Sequence, residues 1–208
     1  YLIMNNCRKP FDDIRVRRAI HHALDKKMFV KAVYAGLAPT APTVLNPRFP
    51  GHNTDVRTYE YNPKKAKKLL VEAGYSQGFD TSFLYYPMLP WKEYAPILQE
   101  QLRKVGIRLK LIMLDRSTVG KIRRKGKYDM LYGSTSRPPD PDIIFSTYFH
   151  SKQSPYPNMS CYKNKEVDRL IDQGNSERDQ EKRWKIYRKI QEIMAEDTPV
   201  VPVNYRVE

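Results

Sequence analysis

The clearest folding signal lies in residues 79–113, which read FDTSFLYYPMLPWKEYAPILQEQLRKVGIRLKLIM. Residues 79–86 have the composition of a strand, and residues 107–113 largely alternate apolar with basic side chains, as a half-buried strand does. Between them, residues 92–105 place apolar side chains at helical spacing, and a glycine follows. Because a single helix joins the two strands, we expect them to be parallel neighbours or near neighbours with a right-handed crossover.

Similar signals extend to both sides of this unit. The sequence predicts further strands at residues 1–6, 128–133 and 200–205. It also predicts seven more helices, the first capped by Asp12 or Asp13, which span residues 13–24, 25–34, 62–73, 115–126, 142–149, 165–174 and 178–196. Residues 36–62 contain four prolines and little periodicity, which indicates a long surface loop. Strands that alternate with helices of this length predict an α/β fold whose helices cover a sheet.

The size and composition of the chain are those of one compact domain. Its 208 residues fit a single core, and no apolar run approaches the ~20 residues that span a bilayer. The two cysteines, Cys7 and Cys161, stand far apart and outside any CxxC pair. This spacing indicates neither a disulfide-rich scaffold nor a zinc site, and it leaves open whether the two thiols join each other.

The chain is strongly basic, with a formal net charge of +14 at pH 7. A positive surface attracts nucleic acid, anionic lipid or acidic ligands. The densest basic clusters lie on predicted helices, at Arg15, Arg17 and Arg18, at Lys64, Lys65, Lys67 and Lys68, and at Lys121, Arg123, Arg124, Lys125 and Lys127. Solvated helix faces account for these clusters. A basic nucleic-acid-binding module is the alternative, although the sequence contains no helix-turn-helix, zinc-finger or RNA-recognition signature.

No catalytic constellation is found in the sequence. The GxSxG and GxxxxGK[ST] motifs are absent, and the four histidines lack the spacing that would place two rings on one helix face. The paired carboxylates of Asp140-Pro141-Asp142 are typical of a turn that caps the next helix. These observations predict a protein that is not an enzyme and that needs neither a metal nor another cofactor.

Aromatic and polar residues gather where two of the predicted strands end. Tyr85, Tyr86 and Trp91 follow one strand, and Tyr132 precedes a loop that begins with Ser134. Side chains at the ends of strands form ligand surfaces in open α/β sheets. Ordinary packing of amphipathic rings is the alternative interpretation.

These segments, taken together, resemble a known family, the extracellular solute-binding proteins (family 5) of ABC importers for oligopeptides, dipeptides and nickel complexes. The resemblance covers nearly the whole chain and depends on the order and spacing of its motifs. The motifs are Tyr1-Leu2 with Asn5, Pro10-Phe11-Asp12-Asp13, Val16-Arg17-Arg18-Ala19-Ile20, Ala23-Leu24-Asp25-Lys26-Lys27, Tyr61-Asn62-Pro63, Lys65-Ala66-Lys67-Lys68-Leu69-Leu70, Ala73-Gly74, Gln101-Leu102-Arg103-Lys104-Val105-Gly106-Ile107, Asp140-Pro141-Asp142, Tyr162-Lys163-Asn164 and Val167-Asp168-Arg169-Leu170-Ile171.

The resemblance implies that residues 1–208 form a single α/β lobe, the C-terminal ligand-binding lobe of a larger two-lobed protein. The implied fold is a periplasmic-binding-protein type II-like lobe, with a central mixed or mostly parallel sheet flanked by helices. Its implied partners are a peptide or other small solute, the N-terminal lobe of the same protein and the membrane permease subunits, and they do not include nucleic acid. The implied location is periplasmic or extracellular and membrane-associated, and a lipoprotein anchor would fit this location. A lobe on its own is expected to bind the solute weakly or not at all.

The candidate solute contacts are Tyr85, Tyr86, Trp91, Tyr132, Ser134, Thr135, Arg137 and Asp140. Dipeptide binders of the family hold the peptide ammonium with an aspartate at the position of Arg137, and the peptide carboxylate with an arginine where this chain has Tyr85-Tyr86-Pro87. A cation that faces an ammonium is unfavourable, so the resemblance argues against a short zwitterionic peptide. We expect Arg137 to meet an anionic group of the solute or, alternatively, to pair with the other lobe.

Overall fold

The computed structural model describes residues 1–134 and 140–205. The strands are β1 (Leu2–Met4), β2 (Phe79–Tyr85), β3 (Ile107–Met113), β4 (Met130–Tyr132) and β5 (Val200–Val201). The α-helices are α1 (Ile14–Ala23), α2 (Lys26–Tyr34), α3 (Pro63–Glu72), α4 (Trp91–Arg103), α5 (Arg116–Arg124), α6 (Pro141–Tyr148), α7 (Lys165–Ser176) and α8 (Gln180–Asp197). In this part of the chain, no helix is both long enough and apolar enough to cross a membrane.

The strands form one mixed sheet in the order β3-β2-β4-β1-β5. Strand β2 is parallel to both β3 and β4, while β1 is antiparallel to β4 and β5. The predicted parallel pairing of residues 79–86 with residues 107–113 is confirmed, with Phe79 opposite Ile107. Since β2 and β4 run in the same direction, their carboxyl ends meet at the same edge of the sheet.

Two hydrophobic cores cover the two faces of this sheet. Phe83 and Met130 point into the core beneath α1, α3 and α4, while the next residues along these strands, Leu84 and Leu131, point into the core beneath α5 to α8. This alternation follows from the two-residue repeat of a strand. The sheet is therefore the middle layer of three, as the alternation of strands and helices predicts.

Side-chain caps begin most of the helices at the predicted places. Asp13 accepts a hydrogen bond from the backbone of Arg15 at the start of α1, and Asn62 accepts one from Lys65 at the start of α3. Asp115 caps α5 in the same way through Thr118. An oxygen at the cap satisfies a backbone N–H that has no partner within the helix, which is why these residues mark helix starts.

The predicted strand at residues 200–205 is wrong beyond Val201. Pro202 has no backbone N–H to donate to a sheet, so the ladder with β1 stops there. The chain then pairs with the proline-rich loop instead. Ala41 donates its backbone N–H to the carbonyl of Val203, and Tyr205 donates its own to the carbonyl of Pro39. A short ribbon thus joins residues 39–41 to residues 203–205.

The two cysteines, whose pairing the sequence left open, form a disulfide. The Cα atoms of Cys7 and Cys161 are 5.7 Å apart, and the bond joins residues separated by 154 positions in the chain. It connects the turn after β1 to the segment that leads into α7.

Candidate solute-binding site

A cavity of about 590 Å³ opens where β2 and β4 end. The turn after β2 contributes Met88, Leu89 and Pro90 to its wall, and the segment after β4 contributes Gly133 and Ser134. Residues from the end of α2, from the proline-rich loop and from residues 202–205, together with Tyr1, also line it. The cavity therefore lies at the carboxyl edge of the parallel strands, where open α/β sheets bind their ligands. We call it the solute cavity.

Trp91 and Ser134 are the described candidate residues that line the solute cavity. The Trp91 ring stacks on the ring of Tyr132, with centroids 4.7 Å apart and planes inclined by 22°. Tyr86 meets Tyr132 edge to face at 5.3 Å. Tyr132 and Tyr86 therefore support the Trp91 ring and do not line the cavity themselves. This arrangement combines the two interpretations of the aromatic cluster, because one ring lines the cavity and the others pack behind it.

The remaining candidates have other surroundings or lie outside the described residues. Tyr85 is buried in the core and stacks on Phe83 at 5.5 Å. The carboxylate of Asp140 caps α6 and pairs with the guanidinium of Arg183 at 2.9 and 3.2 Å. Thr135 and Arg137 fall between residues 134 and 140, outside the described residues. For these four residues, contact with a solute stays a prediction.

Several cavity residues are absent from the set chosen from the sequence. Asn46 comes from the proline-rich loop, Tyr34 from the end of α2, and Asn204 and Tyr205 from the last described segment. The hydroxyl of Tyr94 donates to Asn204 Oδ1 at 3.0 Å and so orients that amide. Burial raises the pKa of Tyr205, so its hydroxyl stays protonated and able to donate. No local motif marks these residues, because the ribbon between residues 39–41 and residues 203–205 brings them to the cavity.

The described wall of the solute cavity carries little charge. Glu93 provides the one carboxylate among its described lining residues, which include no lysine or arginine. Its polar groups are amides and hydroxyls, such as those of Asn46 and Ser134, which both donate and accept hydrogen bonds. Met88 and Leu89 expose apolar surface at the mouth. This wall suits an uncharged or apolar part of a ligand.

A second cavity, of about 670 Å³, lies beside α1 and α8. It contains none of the candidate residues and is bounded by Lys26, His21 and Tyr59, among others. Burial lowers the pKa of Lys26 to about 8, and it holds the pKa of His21 well below its ordinary value. Although this cavity is the larger, it lies away from the carboxyl ends of the parallel strands, where open α/β sheets bind their ligands.

Nowhere in residues 1–134 and 140–205 do three His, Cys, Asp or Glu side chains come together as a metal site would need. The described walls of the two cavities offer a ligand shape, hydrogen-bonding groups and apolar contact.

The sequence matches a known protein family. The sequence profile of the bacterial extracellular solute-binding proteins, family 5 Middle, matches residues 1–156. The chain belongs to this family. The chain is 33% identical to the dipeptide-binding protein of Escherichia coli strain K12 over 99% of its length, and 30% identical to heme-binding protein A of Haemophilus influenzae over all of it.

The fold agrees with that of solved members of the family. The ABC transporter-associated periplasmic binding protein of Helicobacter pylori, solved with the peptide STSA, matches 98% of this chain with a TM-score of 0.94 and 32% identity. This likeness confirms the predicted type II periplasmic-binding-protein fold. The comparisons do not support the alternative of a nucleic-acid-binding module. The chain covers about two fifths of the relatives, 40% of the Escherichia coli protein and 40% of the Helicobacter pylori one.

Proposed function

We propose that this chain is one lobe of the two-lobed solute-binding component of an ABC importer. The lobe holds a peptide-like or related solute against a second lobe and presents it to the permease in the membrane. The observation that carries this proposal is the open solute cavity at the carboxyl ends of β2 and β4. The chain that contains it superimposes on about two fifths of a peptide-bound relative, which supports the proposal. The protein acts by binding and makes or breaks no bonds.

The proposed location is the periplasm or the outer face of the cell membrane. The family profile is that of extracellular proteins, and the Cys7–Cys161 disulfide suits an oxidising compartment. A lipid anchor elsewhere in the protein would hold it near its permease. The second lobe and the permease subunits are thus the proposed protein partners.

The proposed solute has an uncharged or apolar part that faces the described wall. Trp91, Met88 and Leu89 offer apolar contact, while Ser134 and Asn46 offer hydrogen bonds. We propose that Arg137 meets an anionic group of the same solute. The relatives include both dipeptide-binding and heme-binding proteins, so peptides and planar amphipathic anions both belong in a test panel.

The test uses the intact protein that contains this chain. Solute that co-purifies would be released by mild denaturation and identified by mass spectrometry, and its affinity would be measured by titration calorimetry. Leu89→Asp places a charge at the mouth of the cavity and is expected to weaken binding at least about tenfold, because the solute's apolar part would lose its contact. Leu37→Asp is the matched control, since Leu37 is also exposed, 79% against 66%, but does not line the cavity.

The variant Arg137→Ala tests the anionic contact separately. Weaker binding of the identified solute supports that contact, whereas unchanged affinity removes the role of Arg137 and leaves the cavity assignment intact. The whole proposal fails if no solute co-purifies and no peptide, metal complex or saccharide stabilises the protein. Equal effects of Leu89→Asp and Leu37→Asp would also contradict the cavity assignment.

A further inference from the structure

Exposed cations gather at the edge of the sheet opposite the solute cavity. Lys125 and Lys127 come directly before β4, whose other end reaches the cavity. Asn5 donates from Nδ2 to the backbone carbonyls of Gly126 at 3.1 Å and Tyr128 at 3.0 Å, which brings the turn after β1 to the end of α5. We call these exposed cations the basic patch, and its members are Arg8, Lys110, Lys121, Arg124, Lys125 and Lys127.

One carboxylate pairs with this patch. Asp129 lies 3.5 Å from Nε of Arg8, measured to Oδ1. Its other oxygen accepts hydrogen bonds from the backbone and the hydroxyl of Ser82, at 3.1 and 2.6 Å. Ser82 is directly opposite Lys110 in the sheet, so Lys110 belongs to the same row of residues. Asp129 is thus already engaged, and most of the positive charge of the patch is left uncompensated.

Several cations elsewhere on the described surface do have acidic neighbours. Arg103 pairs with Glu100, Arg108 with Asp80, and Arg169 with Glu166, at 2.7 to 2.8 Å. No ion pair to a carboxylate joins Lys110, Lys121, Arg124, Lys125 or Lys127 within the described parts of the chain. Like charges held together raise the local potential and favour an anionic partner. The basic patch is therefore one place on the described surface where exposed cations without a paired carboxylate lie close together in the fold.

An exposed aromatic ring adjoins the basic patch. Pro155 packs against Gly126, where an added Cβ atom would lie 3.0 Å from the Pro155 Cβ atom. Tyr156 follows it and is 46% exposed. Tyrosine rings collect at the membrane–water interface, where the ring is half immersed and the hydroxyl stays wet. Cations beside an exposed tyrosine are the composition of a surface that meets lipid headgroups.

We propose that the basic patch, with Tyr156, docks the lobe on an anionic lipid bilayer. The cations contact the phosphate groups, and the tyrosine ring enters the headgroup layer. Because the patch is at the opposite edge of the sheet, docking leaves the solute cavity open. Nucleic acid is the competing polyanion. Lipid is favoured because the family profile is that of extracellular proteins, and outside the cell the membrane is the nearest extended anionic surface; this inference rests on the proposed location and not on the identity of the solute.

The test is co-sedimentation of the chain, residues 1–208, with vesicles. Vesicles of phosphatidylcholine that contain phosphatidylglycerol are compared with vesicles of phosphatidylcholine alone, at low and high ionic strength. We expect binding to the anionic vesicles that falls as salt screens the charges. Binding that is equal on both vesicle types, or absent from the anionic ones, overturns the proposal.

The decisive comparison uses two triple variants with the same change in net charge. Lys121→Glu/Lys125→Glu/Lys127→Glu removes half of the patch, while Lys64→Glu/Lys67→Glu/Lys68→Glu changes exposed lysines on α3. One surface cation is worth about a fivefold change in membrane partition. The first variant is therefore expected to lose at least about a hundredfold, and the second to keep most of its binding. Tyr156→Ser is expected to weaken binding several-fold at high salt.

Circular dichroism verifies that each variant is folded. If both triple variants lose binding equally, the binding reports net charge alone and the patch assignment is wrong. A parallel titration with a random DNA duplex separates the two polyanions. Should the patch variant lose binding to the duplex and keep its binding to anionic vesicles, the surface is a nucleic-acid site and the lipid proposal is overturned.

Discussion

At the scale of single residues, the buried tyrosines Tyr128, just before β4, and Tyr132, at its end, differ in the hydrogen bonding of their hydroxyls. The hydroxyl of Tyr128 donates to the carbonyl of Met159 at 2.5 Å. The hydroxyl of Tyr132 is buried and finds no hydrogen-bond partner in the described part of the protein. A buried hydroxyl without a partner costs about 1–3 kcal/mol of stability. Tyr132 therefore supports the stacked Trp91 ring with its own ring, while its hydroxyl destabilises the fold.

Tyr132→Phe is expected to leave the free energy of unfolding unchanged or to raise it by about 1 kcal/mol, because it removes the unpaired hydroxyl and keeps the ring. Tyr128→Phe is the matched control and should lower stability by about 1–3 kcal/mol, since it leaves a buried carbonyl unpaired. Urea denaturation followed by tryptophan fluorescence measures both. A loss for Tyr132→Phe as large as that for Tyr128→Phe would contradict the assignment of an unpaired hydroxyl.

His21 makes the stability depend on pH. Its Nε2 atom is 3.1 Å from the carbonyl oxygen of Val200, while Nδ1 is buried without a described partner. Burial first, and the charge of Lys26 second, hold the pKa of His21 well below 6.5. The folded state therefore keeps this ring neutral at pH values where the unfolded chain binds a proton. Burial lowers the pKa of His22 as well, so His22 acts in the same direction.

We expect the free energy of unfolding to fall as the pH drops below about 6.5, by about 1.4 kcal/mol per pH unit for one such histidine. His21→Gln removes this titration. The difference in stability between about pH 7.5 and about pH 5.5 should then shrink by about 1.4 kcal/mol. Denaturation curves at the two pH values measure the change. A variant that keeps the full pH dependence of the parent would show that His21 is not the group responsible.

At the scale of secondary-structure elements, β2 and β3 begin beside each other. Gly78 precedes β2 and Gly106 precedes β3, and the two backbones come close together. A Cβ atom on Gly78 would lie 1.8 Å from the carbonyl oxygen of Gly106. Gly74, after α3, has the same left-handed backbone, with φ of +89° against +71° at Gly78, but empty space around it.

Alanine substitutions at Gly74 and Gly78 therefore form a matched pair, because they differ mainly in the space around the added Cβ atom. Gly74→Ala should cost only the left-handed strain of an alanine, about 1–2 kcal/mol. Gly78→Ala adds a clash with backbone and is expected to cost about 3 kcal/mol more, or to prevent folding. The yield of soluble protein and urea denaturation compare the two. Similar losses would mean that the close approach of the two strand starts imposes no constraint.

Local signals explain why most elements were predictable. Asp13 and Asn62 cap their helices through hydrogen bonds to residues two or three positions away, and such contacts depend on neighbouring sequence alone. The pairing of β2 with β3 was predictable because one helix connects them. The end of β5 was not predicted correctly. The loop at residues 39–41, far from it in sequence, provides the partner there.

At the scale of the whole molecule, the Cys7–Cys161 disulfide closes a loop that contains most of the chain. It spans 154 positions and joins the turn after β1 to the segment before α7. A crosslink of this span removes conformational freedom from the unfolded chain. The disulfide therefore stabilises the folded chain without contacting the solute cavity, whose described lining includes neither cysteine.

Cys7→Ser/Cys161→Ser is expected to lower the free energy of unfolding by about 2–5 kcal/mol. Reduction of the parent protein should produce the same loss, and reductant should leave the double variant unaffected. Thermal unfolding with and without dithiothreitol measures these effects. If reductant does not change the unfolding midpoint of the parent protein, the disulfide contributes nothing to stability.

Only the part of the candidate site that lies next to recognised strands could be predicted from the sequence. Trp91 and Ser134 lie in segments that follow β2 and β4. Because both strands were recognised in the sequence, the position of these two residues at the carboxyl edge of the sheet could be predicted. Asn46 and Tyr205 line the same cavity but carry no local mark. They reach it because residues 39–41 pair with residues 203–205, a contact between the two halves of the chain.

Short-range chemistry thus accounts for the identity and order of the elements, the α/β architecture and the family, since caps, glycines and apolar periodicity act within a few residues. The wall of the solute cavity, the partner of each cysteine and the convergence of Arg8 and Lys110 with the end of α5 came from folding alone. Each joins groups that are distant in the chain, and no local pattern encodes such a meeting. Their positions depend on how the helices and loops pack around the sheet, which is a property of the complete core.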